Sequence, residues 1–300
     1  MDPTWSDVLP QLVIAVSAAV NVFIDFGLLY LTFVSKTLQK SSNLTLFYFR
    51  FLIDGLFGLG VLITMIPFFS SVFQLMKTPN QYFLFFLSLP PVHIALLRAF
   101  LVIIITLDRT LAVFFPVSYR AYRSSMSSKF LICLVLCWPI VDQVVLWGVC
   151  EFRLKFPPGC NVFGCLANEC FLKYTMMYEV TAHSIIVLTC LALAVKLFFW
   201  NRYKKSTKSK DLERANHLAL IDALVIFVFD IIPIFFVIMV PYFTRKIDIV
   251  MPLCKVSGYA VEGYLVYCTL KRKSTVASKT ANGKSFLALS KPSQTITKVG

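Results

Sequence analysis

The chain has 300 residues, 58% of them hydrophobic and only 15% charged, with a mean hydropathy of +0.77. A soluble core of this size cannot absorb so much apolar side chain, which excludes soluble enzymes, disulfide miniproteins and disordered chains and leaves a polytopic helical membrane protein. The formal charge of +14 does not mark a nucleic-acid binder, because the basic residues lie between the apolar runs and after the last of them.

Windows of about twenty mostly apolar residues, the length that crosses roughly 30 Å of hydrocarbon as a helix, predict seven spans. They fall at about 9–34, 46–70, 82–107, 129–149, 172–199, 217–243 and 247–270. Lipid requires every backbone N–H and C=O to pair within its own segment, so the expected fold class is an all-α membrane protein, a seven-transmembrane helix bundle over residues 1–270. Alternate connecting segments carry 20 and 6 of the 29 Lys and Arg residues. The richer set comprises 35–50 (Lys36, Lys40 and Arg50), 109–129, 202–214 and the tail from Lys271. The positive-inside rule therefore places the N-terminus outside and the C-terminus in the cytoplasm.

Residues 1–8 contain Asp2 and Asp7 and no basic residue, so no cleavable signal peptide is expected and the first span serves as the insertion signal. The triplet Asn43-Leu44-Thr45 falls on the cytoplasmic side, where a glycosylation sequon goes unused. Gly55, Gly58 and Gly60 in the second span mark close helix packing. In the third span, Pro90 and Pro91 either kink the helix or mark its outer end. The fourth connection holds Cys150, Cys160, Cys165 and Cys170 on the oxidising side, at intervals of ten, five and five residues. That spacing lacks the C-x-x-C pairs of zinc modules and predicts one or two disulfides, with three connectivities open if all four pair, stapling a lid around the turn Pro157-Pro158-Gly159. The connection 201–215, with six basic residues, is expected to extend the fifth and sixth helices into the cytoplasm. Residues 271–300 lose hydrophobic periodicity and read as a disordered, basic, Ser/Thr-rich cytoplasmic tail. Asn282-Gly283-Lys284-Ser285 is not a phosphate loop, because Ser278 stands where its first glycine belongs.

Each ionisable group left inside a span costs about 2.5–3.5 kcal/mol at mid-membrane unless it pairs or meets water. Arg98 lies ten residues before Asp108, about 15 Å along the helix. Asp25 and Glu262 reach similar depths, Asp54 lies nearer the cytoplasm, and Asp230 lies somewhat beyond the midplane. These five predict a polar hub tying helices 1, 2, 3, 6 and 7, which either switches, binds a polar ligand group or only fixes packing register. Asp222 and Asp230, eight residues apart, are expected on nearly one face, as are Glu179 and His183 at i, i+4. Arg98, Glu179 and His183 form the candidate ligand pocket. Lys255 in the seventh span is expected to snorkel to the outer interface rather than to carry retinal as a Schiff base.

The third span ends Ile105-Thr106-Leu107-Asp108-Arg109-Thr110-Leu111-Ala112-Val113-Phe114-Phe115-Pro116. This resembles the Asp/Glu-Arg-Tyr signature of rhodopsin-like G-protein-coupled receptors. The resemblance implies that Asp108 holds Arg109 at rest and that Arg109 engages the G protein once released. A closer likeness rests on Leu97-Arg98-Ala99-Phe100, Leu107-Asp108-Arg109, Pro158-Gly159-Cys160-Asn161-Val162-Phe163-Gly164-Cys165, Asn168-Glu169-Cys170-Phe171, Lys196-Leu197-Phe198, Ala215-Asn216-His217-Leu218-Ala219-Leu220-Ile221-Asp222-Ala223 and Thr269-Leu270-Lys271-Arg272-Lys273. Read together from about 20 to 273, these segments resemble the nematode serpentine chemoreceptor family of class BC.

That resemblance implies a receptor in the plasma membrane of sensory-neuron cilia that detects an environmental small molecule. The implied partners are bilayer lipid, a heterotrimeric G protein and the small molecule; a homo- or hetero-dimer stays open, and no nucleic acid is expected. No cofactor, metal or catalytic residue is expected, since no His-Glu-x-x-His, Gly-x-Ser-x-Gly or Gly-x-Gly-x-x-Gly pattern occurs. The alternative of a small-solute transporter lacks an internal repeat relating early and late spans.

Overall fold

A computed structural model describes residues 5–35, 44–73, 80–125, 127–156, 163–203, 210–239 and 250–269. The expectations for Asn43, the turn 157–159, Cys160 and the tail 271–300 lie outside the described residues. So do those for Lys36, Lys40 and the basic residues 204–208.

The described residues form helices and no strand. Six helices are long and apolar enough to cross a membrane: Val8–Phe33, Thr45–Ser70, Gln81–Phe114, Ser128–Val149, Glu169–Phe199 and Asn216–Phe236. These are the first to sixth spans. The helix 250–269, the seventh, is less apolar because Lys255, Gly258, Glu262 and Gly263 fall within its twenty residues. It nevertheless buries Val256, Tyr259 and Val266. The third span is the central post, with 67% of its apolar window buried against 22–39% in the other five. Phe23, Ile140, Leu188 and Phe235 project outward, a surface that lipid covers.

Proline and glycine chemistry sets the irregular points. Asn80 caps the third helix by accepting a hydrogen bond from the Tyr82 N–H at 3.0 Å. Pro90 and Pro91 lie inside this helix and do not end it. Pro91 nests on the second span where Gly60 leaves room, since a Cβ there would sit 3.0 Å from the Pro91 Cγ. The helix runs on to Phe114, beyond the expected end at 107, so Asp108 and Arg109 are helical rather than terminal. It stops because Pro116 disfavours helical geometry at Phe115, which adopts φ −126° and ψ 61°. Pro116 then opens a separate helix, Pro116–Ser125, which hydropathy does not reveal.

The fourth span is broken at Cys137 ahead of Pro139 and ends in a π-turn, Val145–Val149, closed by the Cys150 N–H on the Val145 oxygen at 2.8 Å. The sixth contains a second π-turn, Phe227–Ile231, just before Pro233, whose ring cannot tolerate the regular bonding of the preceding turn. A π-turn absorbs one extra residue. Eight residues of regular helix would leave Asp222 and Asp230 about 80° apart; the extra residue rotates Asp230 back towards the inward face, and both are buried.

Of the four apolar cores that the third span joins among the described residues, two mark its ends. Nearer Asp108, Leu97, Leu101 and Ile105 pack with Phe47, Phe51, Leu218 and Val266. At the opposite end Phe85 packs with Leu146, Phe152, Leu166 and Phe171, which carries the fourth connection onto the bundle. The Cys150–Cys170 disulfide closes that connection, and Cys165 is disulfide-bonded as well.

Candidate functional site

The deepest polar feature is a closed ring of ion pairs. Arg98 of the third span donates from Nε to the Asp54 Oδ1 at 2.6 Å and from Nη2 to the Glu262 Oε2 at 2.8 Å. Arg50, one turn before Asp54, faces the same two acids, with Nε 3.3 Å from the Asp54 Oδ2 and Nη2 against the Glu262 Oε1. The ring Arg98–Asp54–Arg50–Glu262 thus ties the second, third and seventh spans together. Arg50 also donates from Nη1 to the Asp222 Oδ2 of the sixth span at 2.5 Å. The guanidinium of Arg98 lies 3.6 Å from the centroid of the Tyr259 ring, and Asn21 of the first span donates to the Asp54 carbonyl at 2.8 Å.

Of the five expected hub residues, Asp54, Arg98 and Glu262 therefore meet. Asp25 is buried beside them, its Oδ1 near the backbone of Gly263, but its Oδ2 accepts no hydrogen bond. Asp230 is not in the ring, because the sixth span carries it further towards the disulfide end. Arg50, counted on sequence with the loop residues, is instead 1% exposed inside the second helix. It is held there because a guanidinium among three carboxylates replaces its lost hydration with charge-assisted bonds. Among the described residues, no three His, Cys, Asp or Glu side chains converge as metal ligands; the charge partners of Asp54, Asp222 and Glu262 are Arg50 and Arg98.

A second set of polar contacts lies nearer the disulfide. Glu179 of the fifth span accepts from the Lys255 Nζ at 2.5 Å, and the His183 Nε2 stands 3.9 Å from the Asp230 Oδ2. Lys255 therefore points into the bundle, contrary to the expected snorkelling, because the Glu179 carboxylate on the facing helix pairs its charge there. Glu179 and His183 share one face as their spacing predicts, yet each meets a different helix. Arg98, Glu179 and His183 share no hydrogen bond or ion pair: Glu179 pairs with Lys255, His183 faces Asp230, and Arg98 pairs with Asp54 and Glu262. Beside this set, the buried Asp142 of the fourth span accepts from the Tyr174 hydroxyl at 2.8 Å and lies 3.4 Å from the His93 Nδ1. Trp138 stacks between Phe100 and Tyr178, with centroids 4.4 and 5.2 Å away.

At the other end of the third span, the Arg109 Nη2 donates to the Asp108 Oδ2 at 2.5 Å. The Tyr119 hydroxyl, on the helix Pro116–Ser125, donates to the Asp108 Oδ1 at 3.0 Å. Asp108 is 8% and Arg109 4% exposed, so the pair is closed and largely withdrawn from solvent.

This helical bundle, with an Asp-Arg pair at one end and a disulfide-closed loop at the other, coincides with a match over residues 5–274 to the family model described as serpentine type 7TM GPCR chemoreceptor Srbc. The chain belongs to that family. It is a multi-pass membrane protein of a receptor family rather than of an enzyme family. No curated protein matches it.

Arg50, Asp142, His93 and Tyr119 are the residues of this serpentine receptor that sequence reasoning passed over. Arg50 had a usable signal, since it stands four residues before Asp54 and so on the same helical face. Asp142 also had one, as an acid within a predicted span. His93 had the same signal, as an ionisable group within a predicted span, whereas Tyr119 had none, because its partner is set by how two successive helices cross.

Proposed function

We propose that the chain is a chemosensory G-protein-coupled receptor, which binds an environmental small molecule within the disulfide half of the bundle and activates a heterotrimeric G protein at the Asp108 end. The observation that carries this reading is the closed Asp108–Arg109 pair held by Tyr119. An arginine is the side chain best suited to a planar, multi-donor contact with a partner's carbonyl and carboxylate groups. Sequestering it at rest, bonded to its own neighbour, makes its release an on-signal.

The charged residues provide a route between the two ends. A polar ligand among Glu179, His183, Asp230 and Lys255 would alter the packing of the fifth, sixth and seventh spans. The sixth and seventh spans also supply Asp222 and Glu262 to the ring around Arg98, from which the third helix runs about 15 Å to Asp108. The orientation that fits is an outer N-terminus and a cytoplasmic tail, which sets the basic connections towards anionic inner-leaflet lipid and the G protein. The site of action is the plasma membrane, in sensory cilia. Replacing Arg109 by Ala, at matched surface level, abolishes ligand-evoked calcium or cyclic-nucleotide signals under this reading.

A further inference from the structure

The ion pairs of the core are not distributed evenly among the helices. The second, third and seventh spans are cross-braced by a closed ring in which every member has two charged contacts: Arg98 with Asp54 and Glu262, and Arg50 with the same two acids. Opening one contact leaves the others in place, so these three helices form a single braced unit. Among the described residues, the sixth span touches this unit through one ion pair, Arg50 Nη1 to Asp222 Oδ2 at 2.5 Å, with side chains 1% and 0% exposed. The remaining oxygen of Asp222, Oδ1, accepts no hydrogen bond. The next charged contact of this helix, Asp230 with His183, is to the fifth span and is long at 3.9 Å.

The same helix carries the means to move as two halves. The π-turn Phe227–Ile231 interrupts its regular bonding between Asp222 and Pro233. The seventh span lies against that turn so closely that a Cβ on Gly258 would come within 2.7 Å of the Phe229 Cβ. A displacement at this contact therefore bears on the π-turn, and Asp222 lies on the far side of it from Asp230.

We propose that the Arg50–Asp222 pair is the latch of this receptor: it holds the Asp222 half of the sixth span against the braced spans, and its opening is the step by which that half swings free. This rests on the receptor reading for its signalling consequence, but the latch itself is a property of the bundle. Releasing Asp222 does not leave Arg50 unpaired, because Arg50 keeps Asp54 and Glu262, and the Asp222 carboxylate, on the moving half of the helix, meets water as that half swings out. The latch can therefore open without breaking the brace, whereas loss of Asp54 or Arg98 takes the brace apart.

Cys190 of the fifth span gives a direct readout. It is 2% exposed, and its thiol lies 3.6 Å from the Ala219 carbonyl, one turn before Asp222 on the sixth span. Separation of the two helices uncovers it. The test uses the full chain in membranes, with Cys133, Cys137, Cys254 and Cys268 replaced by Ser, a membrane-permeant maleimide as probe, and basal G-protein signalling measured in parallel at matched surface level. Asp222→Asn is expected to raise Cys190 labelling at least several-fold and to raise basal signalling, while Asp222→Glu keeps both near the parent's values. Unchanged labelling in Asp222→Asn overturns the latch, as does a loss of surface expression as severe as that of Asp54→Asn. If labelling rises but no variant signals, the latch stands and the receptor reading fails.

Discussion

At the scale of single residues, the cost of a charge in hydrocarbon decides which side chains meet. Arg98 and Asp54 cannot be separated cheaply, because removing one partner of a buried pair leaves the other charged and unsolvated, at about 3–5 kcal/mol. Asp54→Asn and Arg98→Ala are accordingly expected to retain little protein at the cell surface, measured by labelling of an outer tag. Tyr119 acts more gently. Its hydrogen bond to a charged acceptor contributes about 1.5 kcal/mol, so Tyr119→Phe should favour the released form of Arg109 by roughly tenfold, seen as raised basal signalling at unchanged surface level. At this scale the sequence was partly legible. Depth along the helices identified Asp54, Arg98 and Glu262, but counting Arg50 by its place near a span boundary hid that it faces inward. Hydropathy reports how deep a residue lies and not which way it points.

At the scale of elements, prolines override hydropathy in fixing where helices end and bend. The third helix outruns its apolar window until Pro116 stops it, and Pro90 and Pro91 pass inside it because Gly60 receives the ring of Pro91. The π-turn at Phe227–Ile231 has no signature in periodicity, yet it restores Asp230 to the inward face that the eight-residue spacing alone would miss. The crowded cysteines of the fourth connection were legible as disulfide partners, while the choice of Cys150 with Cys170 required the fold. That bond closes a loop of about twenty residues and packs Phe152 and Phe171 onto Phe85. Its loss is expected to cost about 2–5 kcal/mol, so Cys150→Ser and Cys170→Ser should each lower surface expression, and the double variant should be no worse than either alone.

At the scale of the whole molecule, the chain is a bundle braced in its middle and differentiated at its ends. The central third span carries Arg98 in the brace and Asp108–Arg109 at one end. The other end is capped by a disulfide-closed loop and an aromatic core. The 58% apolar fraction and the interspersed basic residues made the bundle legible from composition. The orientation drawn from that charge asymmetry is directly testable: a tag at the N-terminus should be reached by antibody on intact cells, and one at the C-terminus only after permeabilisation.

On the proposed reading, a small molecule drives G-protein activation through Arg109. This is tested most directly by recording calcium or cyclic-nucleotide responses to a panel of environmental small molecules in cells expressing the native chain or its Arg109→Ala form at equal surface level. Any compound evoking a response from the native chain is expected to evoke none from Arg109→Ala. An equal response from the two forms would contradict that reading.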